Sequence, residues 1–251
     1  TVIEALPQIA SVLDEDMACD LSSYLRSEGI KIYTGTNVTD INKLGADIVI
    51  MSVGVRPESE LASDAGLKVS QKGAIIVDNH MRTSHSDIFA VGDAVLTRNF
   101  VDGSQGFVPL AGPANKQGLI AADNICGIDS RYKGTQGTSI LKLFDMTAAS
   151  TGLNERALKG SEIPYDKAFL LSNSNATYYP GATSMSLKVI FDTRNGKILG
   201  AQIVGFKGVD KRIDVLAAAI RANMTAYDLT ELELAYAPPY SSAKDPVNMA
   251  G

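Results

Sequence analysis

The stretch from Thr83 to Asn124 constrains this chain more than any other. Ile88–Val91 is a short apolar run that reads as a buried strand. Gly92 and Asp93 stand where that strand would end, and in open α/β sheets ligands bind at the carboxyl ends of strands. A glycine there lets a ligand approach the backbone. A carboxylate beside it accepts hydrogen bonds from a polyol or ribose hydroxyl. Residues 98–107 are polar and glycine-bearing and read as a loop. Helical spacing then follows Pro113, with Ala114, Leu119, Ala121, Ala122 and Ile125 at small or apolar positions. Pro113 suits a first helical position and Gly127 a helix stop. Asn115 is expected on the first turn. Such a helix aims its positive end at whatever Asp93 holds.

The flanking segments divide into two patterns. Val2–Glu4 reads as a strand ending in an acid. An amphipathic helix over 14–28 carries Met17, Leu21, Tyr24 and Leu25 on one face, and Gly29 ends it. Ile30–Tyr33 and Asp47–Val53 read as strands, the second apolar enough for the middle of a parallel sheet. A short helix over 58–65 and a hairpin from residues 68–69 and 74–77 follow. From Gly134 the period changes to two. Strands are expected over 139–144, 168–171, 185–191 and 198–204, with Asn195-Gly196 as a hairpin turn. Helices are expected over 210–222 and 225–231, the second capped by Thr225. The fold class is therefore α/β, from partial doubly wound domains, followed by an α+β domain with an antiparallel sheet and helices on one side.

Composition excludes several functions. With a net charge of −5 over 251 residues, there is no electrostatic case for nucleic acid or an anionic membrane. No apolar run approaches the roughly 18 residues of a membrane span. Cys19 and Cys126 stand far apart, outside any Cys-x-x-Cys pattern, and read as small core or half-buried thiols. So few cysteines and no visible leader point to a reducing, cytoplasmic setting. His80 and His85 fall in polar turns with no set of zinc ligands around them, so no metal is expected. No Gly-x-Ser-x-Gly elbow supports a hydrolase.

The strand ending Val-Gly-Asp-Ala, followed by a helix opening Ala-Asn-Lys-Gln-Gly, resembles the second FAD-binding motif of the pyridine nucleotide-disulfide oxidoreductases. The resemblance implies that Asp93 bonds the ribityl chain of FAD. It also implies that the helix start faces the pyrimidine edge of the flavin, where a helix N-terminus stabilises negative charge. Thr83, Gly92, Pro109, Leu110, Ala111 and Ala114 fall on the same motif as cofactor-binding positions. Residues 1–56 look like the latter half of an NAD(P)-binding domain, 57–133 like the C-terminal part of the FAD-binding domain, and 134–251 like the dimerisation domain. Glu4 then bonds the adenosine ribose of NADH or NADPH. No Lys or Arg follows it until Arg26, which favours NADH. Gly54, at the crossing between domains, lets the nicotinamide approach the backbone. The glycine-rich turn and the redox cysteine of the family are expected before residue 1.

The tail Tyr-Ala-Pro-Pro-Tyr-Ser-Ser-Ala-Lys-Asp-Pro, starting at Tyr236, narrows the resemblance to the coenzyme A-disulfide reductase and NADH oxidase branch. There it closes over the partner subunit's active site, so a homodimer is implied. The segment Ala-Thr-Tyr-Tyr-Pro-Gly-Ala, starting at Ala176, is a second marker. On these matches Tyr178 and Tyr236 are the catalytic hydroxyls near the reacting sulfur. Asn115, Tyr240 and Lys244 are the substrate-binding residues, with Lys244 a point charge for the CoA moiety. The implied activity is FAD-dependent, NAD(P)H-driven reduction of a CoA-linked disulfide or persulfide. The alternatives are an NADH oxidase or peroxidase on the same frame, or a non-catalytic dimerising piece. By itself the chain is expected to be inactive.

Overall fold

The computed structural model describes residues Thr1–Gly251 and groups them into two compact units, residues 1–47 with 138–251 and residues 48–137. The first unit is built on a five-stranded antiparallel sheet. Its strands are β5 (Ser139–Leu143), β6 (Met146–Gly152), β7 (Tyr165–Asn173), β8 (Ser184–Asp192) and β9 (Ile198–Gly205), in the order β5-β6-β9-β8-β7. Every residue of β9 is buried, so the sheet is covered on both faces there. One face carries Ser186, Lys188, Gln202 and Val204, which pair across β8 and β9. Against it lies α1 (Glu15–Ser27), whose Met17, Leu21 and Leu25 form a core with Met146, Ala148 and Val204. Period-two alternation turns Leu187, Val189 and Ile203 to the other face. There α5 (Val209–Arg221) packs with Ile213, Leu216 and Ile220 buried.

The sheet thus departs from the expected one-sided cover. Its second layer comes from the N-terminal helix, which sequence order alone assigns to a different domain. The strand β6 was also missing from the periodicity. Its residues Thr147–Thr151 are small or hydroxylated, so they show little apolar alternation although nearly all are buried. Two parallel strands, β1 (Val2–Ile3) and β2 (Ile32–Tyr33), complete the unit with α4 (Glu155–Lys159), α6 (Ala226–Thr230) and α7 (Pro246–Ala250). Thr225 and Asp228 form the capping box that starts α6. The closing helix α7 was not expected. Asp245 caps it and Pro246 opens it, a start signal that the short remaining sequence obscured.

The second unit holds α2 (Glu60–Asp64), a hairpin of β3 (Thr97–Arg98) and β4 (Gln105–Gly106), and α3 (Ala111–Ile125). Three expectations fail here. Residues 47–53 form no strand, and Ile48, Ile50 and Val53 are more than four-fifths exposed. An apolar run becomes a strand only where neighbours pair with it, and no segment of this chain does. Residues 88–91 form no strand either and keep one isolated bridge, Phe89 with Arg82. The expected hairpin at 68–77 does form, in short form: Val69 bridges Ile75 antiparallel, and the Ser70 and Ile76 amides donate to the Ala74 and Lys68 carbonyls. Conversely, the segment read as a loop before Pro109 carries the β3–β4 hairpin. No helix of the chain is long and apolar enough to cross a membrane.

Candidate functional site

In the second unit, Gly92 adopts φ 77°, a conformation that favours glycine, and opens a 3₁₀ turn over Gly92–Ala94. The buried Gln117 of α3 accepts a hydrogen bond from the Gly92 N–H at 2.8 Å. That bond fastens the turn to the helix. Asp93 is exposed and its carboxylate takes no hydrogen bond from within the chain. The helix begins two residues before Pro113, at Ala111, with Leu110 at the N-cap and no side chain bonding its first amides. Pro113 at the third helical position loses nothing, since amides of the first turn have no helical partner. Asn115 consequently moves off the first turn to the fifth helical position and is exposed. Gly127 ends the helix as expected, at φ 83°. Thr83 closes the turn before Ile88 through its amide and hydroxyl. Glu4 lies in the other unit, where its carboxylate accepts from the Leu6 amide. Gly54 adopts φ 92° in an exposed segment.

A second constellation lies wholly within the sheet unit. Tyr178 sits in the turn after β7 and Tyr236 in the extended segment after α6. Their hydroxyls meet at 3.2 Å. Tyr236 and Tyr240 line a cleft of about 570 Å³ with Lys207, Lys211 and Asn175. Neither cysteine lines it. The neighbouring Tyr236 hydroxyl, with some burial, holds Tyr178 above the usual phenol range. Tyr178 is therefore a protonated hydroxyl at neutral pH. Two phenols that share one hydrogen bond retain one further O–H between them. That proton is free to point outward. Lys244 is exposed.

Beneath the tyrosines lies a buried cation that periodicity could not reveal. Arg212 of α5 is wholly buried and donates to both carboxylate oxygens of Asp245, at 3.1 and 3.0 Å. Burial pushes the Asp245 carboxyl up, but hydrogen bonds from Ser241, the Val247 amide and Arg212 outweigh it, so the group titrates below its ordinary range. On the opposite face of the sheet, wholly buried Lys188 meets Asp14, Asp16 and Glu155. These three carboxylates are close enough together to hold a cation, and the lysine ammonium already occupies that role. Its hydrogen bonds to Glu155, Asp16 and Asp14 outweigh burial and raise its pKa to about 12. Sequence gave no sign of this cluster, because its members come from α1, α4 and β8.

Cys19 and Cys126 are both exposed, against the expectation of core or half-buried thiols. Cys19 lies on the outward side of α1, and Cys126 follows the last turn of α3. His80 is not a bare turn residue, for its Nε2 lies 2.9 Å from Asp129.

The sequence pattern described as pyridine nucleotide-disulphide oxidoreductase matches residues 1–118, and the dimerisation-domain pattern of the same family matches residues 138–246. The chain belongs to the pyridine nucleotide-disulphide oxidoreductase family. It is 36% identical to a coenzyme A disulfide reductase of Staphylococcus aureus over 262 aligned residues, covering all of this chain and 59% of the relative. Among solved structures it resembles reduced CoADR-RHD of Bacillus anthracis, with a TM-score of 0.95 and 45% identity, and a NAD-dependent persulfide reductase of A. fulgidus, with 0.95 and 41%. Each likeness covers 99% of this chain, but 47% and 49% of the solved chains. The family resemblance and the α/β-plus-α+β fold class are borne out. The enzymes of this family use FAD and NAD(P)H. The residues around Gly92 fit such a flavin: a glycine-only turn, an unpartnered carboxylate and an uncapped 15-residue helix converge there. The chain spans about half to three-fifths of its relatives' lengths.

Proposed function

We propose that this chain serves a FAD-dependent, NAD(P)H-driven reductase of CoA-linked disulfides or persulfides, acting as a homodimer through residues 138–246. Asp93 would hold the ribityl chain of FAD, with Thr83, Gly92, Pro109, Leu110, Ala111 and Ala114 around it. Glu4 would bond the adenosine ribose of the nicotinamide and Gly54 would admit its ring. Bound FAD supplies hydride acceptance from the nicotinamide and two electrons for an S–S bond. The chain's own groups do the rest. The amide end of α3 stabilises negative charge, and the tyrosine pair serves the sulfur that leaves. A departing thiolate needs a hydrogen bond or a proton, and Tyr178 is protonated and exposed. Lys244 and Tyr240 would engage the CoA moiety, with Asn115 near the flavin. The redox thiol would be neither Cys19 nor Cys126, since neither lines the tyrosine cleft.

The observation that carries this reading is the 3.2 Å meeting of Tyr178 and Tyr236 beside a cleft with two lysines. The hydrogen bond keeps the two hydroxyls together and leaves one O–H to donate outward. In FAD-loaded enzyme containing this chain, Tyr178→Phe and Tyr236→Phe are each expected to slow NADH-driven reduction of CoA disulfide. General acid assistance is worth on the order of 10²–10⁴-fold. Flavin content should stay the same. Unchanged turnover in both variants would overturn the assignment, and fast NADH oxidation by oxygen without disulfide would favour the oxidase alternative.

A further inference from the structure

Tyr178 is 74% exposed and Tyr236 47% exposed, and neither stands on a helix or strand. Packing therefore does not aim their rings. Backbone-directed hydrogen bonds join the two segments instead. The Asn175 amide group donates to the Pro238 carbonyl at 3.2 Å. The Ala176 amide donates to the Ser241 carbonyl at 3.0 Å. Arg212, while gripping Asp245 on the tail side, donates to the Ser174 carbonyl on the other side at 2.9 Å. The Ser174 amide and the Thr183 carbonyl close the base of the Tyr178 turn at 2.8 Å. Lysine ammoniums finish the tie: Lys207 donates to the Gly181 carbonyl at 2.9 Å and Lys211 to the Ala235 carbonyl at 3.3 Å.

Resting on the tyrosine reading above, we propose that Asn175 and the Arg212–Asp245 pair are positioning residues that hold the two tyrosine hydroxyls in register for catalysis. Asn175 is buried, and its side-chain nitrogen reaches backbone carbonyls of both segments, its own Ala176 and the tail's Pro238. A carbonyl fixed two residues after Tyr236 sets where that ring emerges. An amide fixed two residues before Tyr178 does the same on the other side. Reacting groups misplaced by about 1 Å lose on the order of 10²-fold in rate. Joining in advance two segments that lie outside any helix or strand removes the entropy of aligning them during turnover.

The test is a double-mutant cycle in the FAD-loaded enzyme containing this chain, with NADH and CoA disulfide as substrates. Asn175→Ala is expected to lower kcat roughly 10- to 100-fold with KM and flavin content little changed. In the Tyr178→Phe/Tyr236→Phe background, the same substitution should cost almost nothing further. A merely structural asparagine would lower activity equally in both backgrounds, and that additive result overturns the proposal. Wild-type kcat in Asn175→Ala, with both Phe variants impaired, overturns it too while leaving the tyrosine reading intact. Wild-type turnover in both Phe variants overturns both. Should Asn175→Ala not fold, Asn175→Ser, which is too short to span to the Pro238 carbonyl, carries the same cycle. A loss confined to the background that keeps both tyrosines is the expected result, and an equal loss in both backgrounds overturns the proposal.

Discussion

Asp93 and Gln117 divide the work of one turn. Gln117 spends its side-chain oxygen on the Gly92 amide and is buried, so it shapes the turn. Asp93 keeps its carboxylate unpartnered and exposed, so it is available to a ligand. Hydrogen bonds to a charged group contribute about 1.5–3 kcal/mol. Asp93→Ala is accordingly expected to weaken FAD binding by roughly 10- to 100-fold at tenfold per 1.4 kcal/mol. Flavin fluorescence titration of apoenzyme measures it, and an unchanged dissociation constant would place the ribityl chain elsewhere. The left-handed turn at Gly92 was legible in the sequence because a glycine after an apolar run marks a place where the backbone turns. Gln117 was not, although it lies in the quoted Ala-Asn-Lys-Gln-Gly run. Its role depends on which helix face meets the turn. Arg212 was hidden for the same reason, since a charged residue in an amphipathic helix reads as solvent-facing until its partner, here Asp245, is known.

At the scale of elements, the sequence was informative where an apolar pattern and its pairing neighbours lay in the same stretch of chain, and β6, next to β5 but without that pattern, was missed. The strands β7, β8 and β9, the Asn195-Gly196 turn and the helix α5 all emerged within a few residues of their expected ends. The run at 47–53 shows the opposite case. Its apolar residues suit a central strand, yet none of its backbone groups pairs with another strand in this chain. Propensity for a strand is chiefly a propensity to pack on neighbours. In the isolated chain, the amides of residues 48–53 are expected to exchange with solvent as fast as an unfolded peptide, while those of β9 are protected. Hydrogen-exchange mass spectrometry distinguishes the two within a single digest. Protection at 48–53 would mean that the run has found a partner edge, which an exposed apolar segment invites.

For the molecule as a whole, the buried charged groups all lie in one of the two units, the one built on the sheet. Glu155, Asp192 and Asp245 all titrate below their ordinary range and all belong to the sheet unit. Burial opposes the shift at Glu155 and is outweighed by hydrogen bonds from Lys167 and Lys188. At Asp192 the Arg194 guanidinium is the chief cause. A depressed carboxylate stabilises the fold above its unfolded pKa, and that stability is lost as pH falls through the folded value. The unfolded values are 3.8 for aspartate and 4.5 for glutamate. The sheet unit should therefore lose stability as pH drops below about 4.5. Protonating Glu155 and Asp245 also leaves Lys188 and Arg212 as buried cations short of partners. Removing one partner of a buried pair costs about 3–5 kcal/mol. Lys188 itself acts at the other limit: its contribution is complete below 10.5 and fades as pH rises through about 12. The chain has nine tyrosines and no tryptophan, and Tyr132 alone lies in the second unit. Tyrosine fluorescence thus reports the sheet unit almost exclusively. Urea midpoints followed by that signal are expected to fall steeply between pH 6 and pH 3. A flat midpoint across that range would mean that these ion pairs contribute no net stability to the fold.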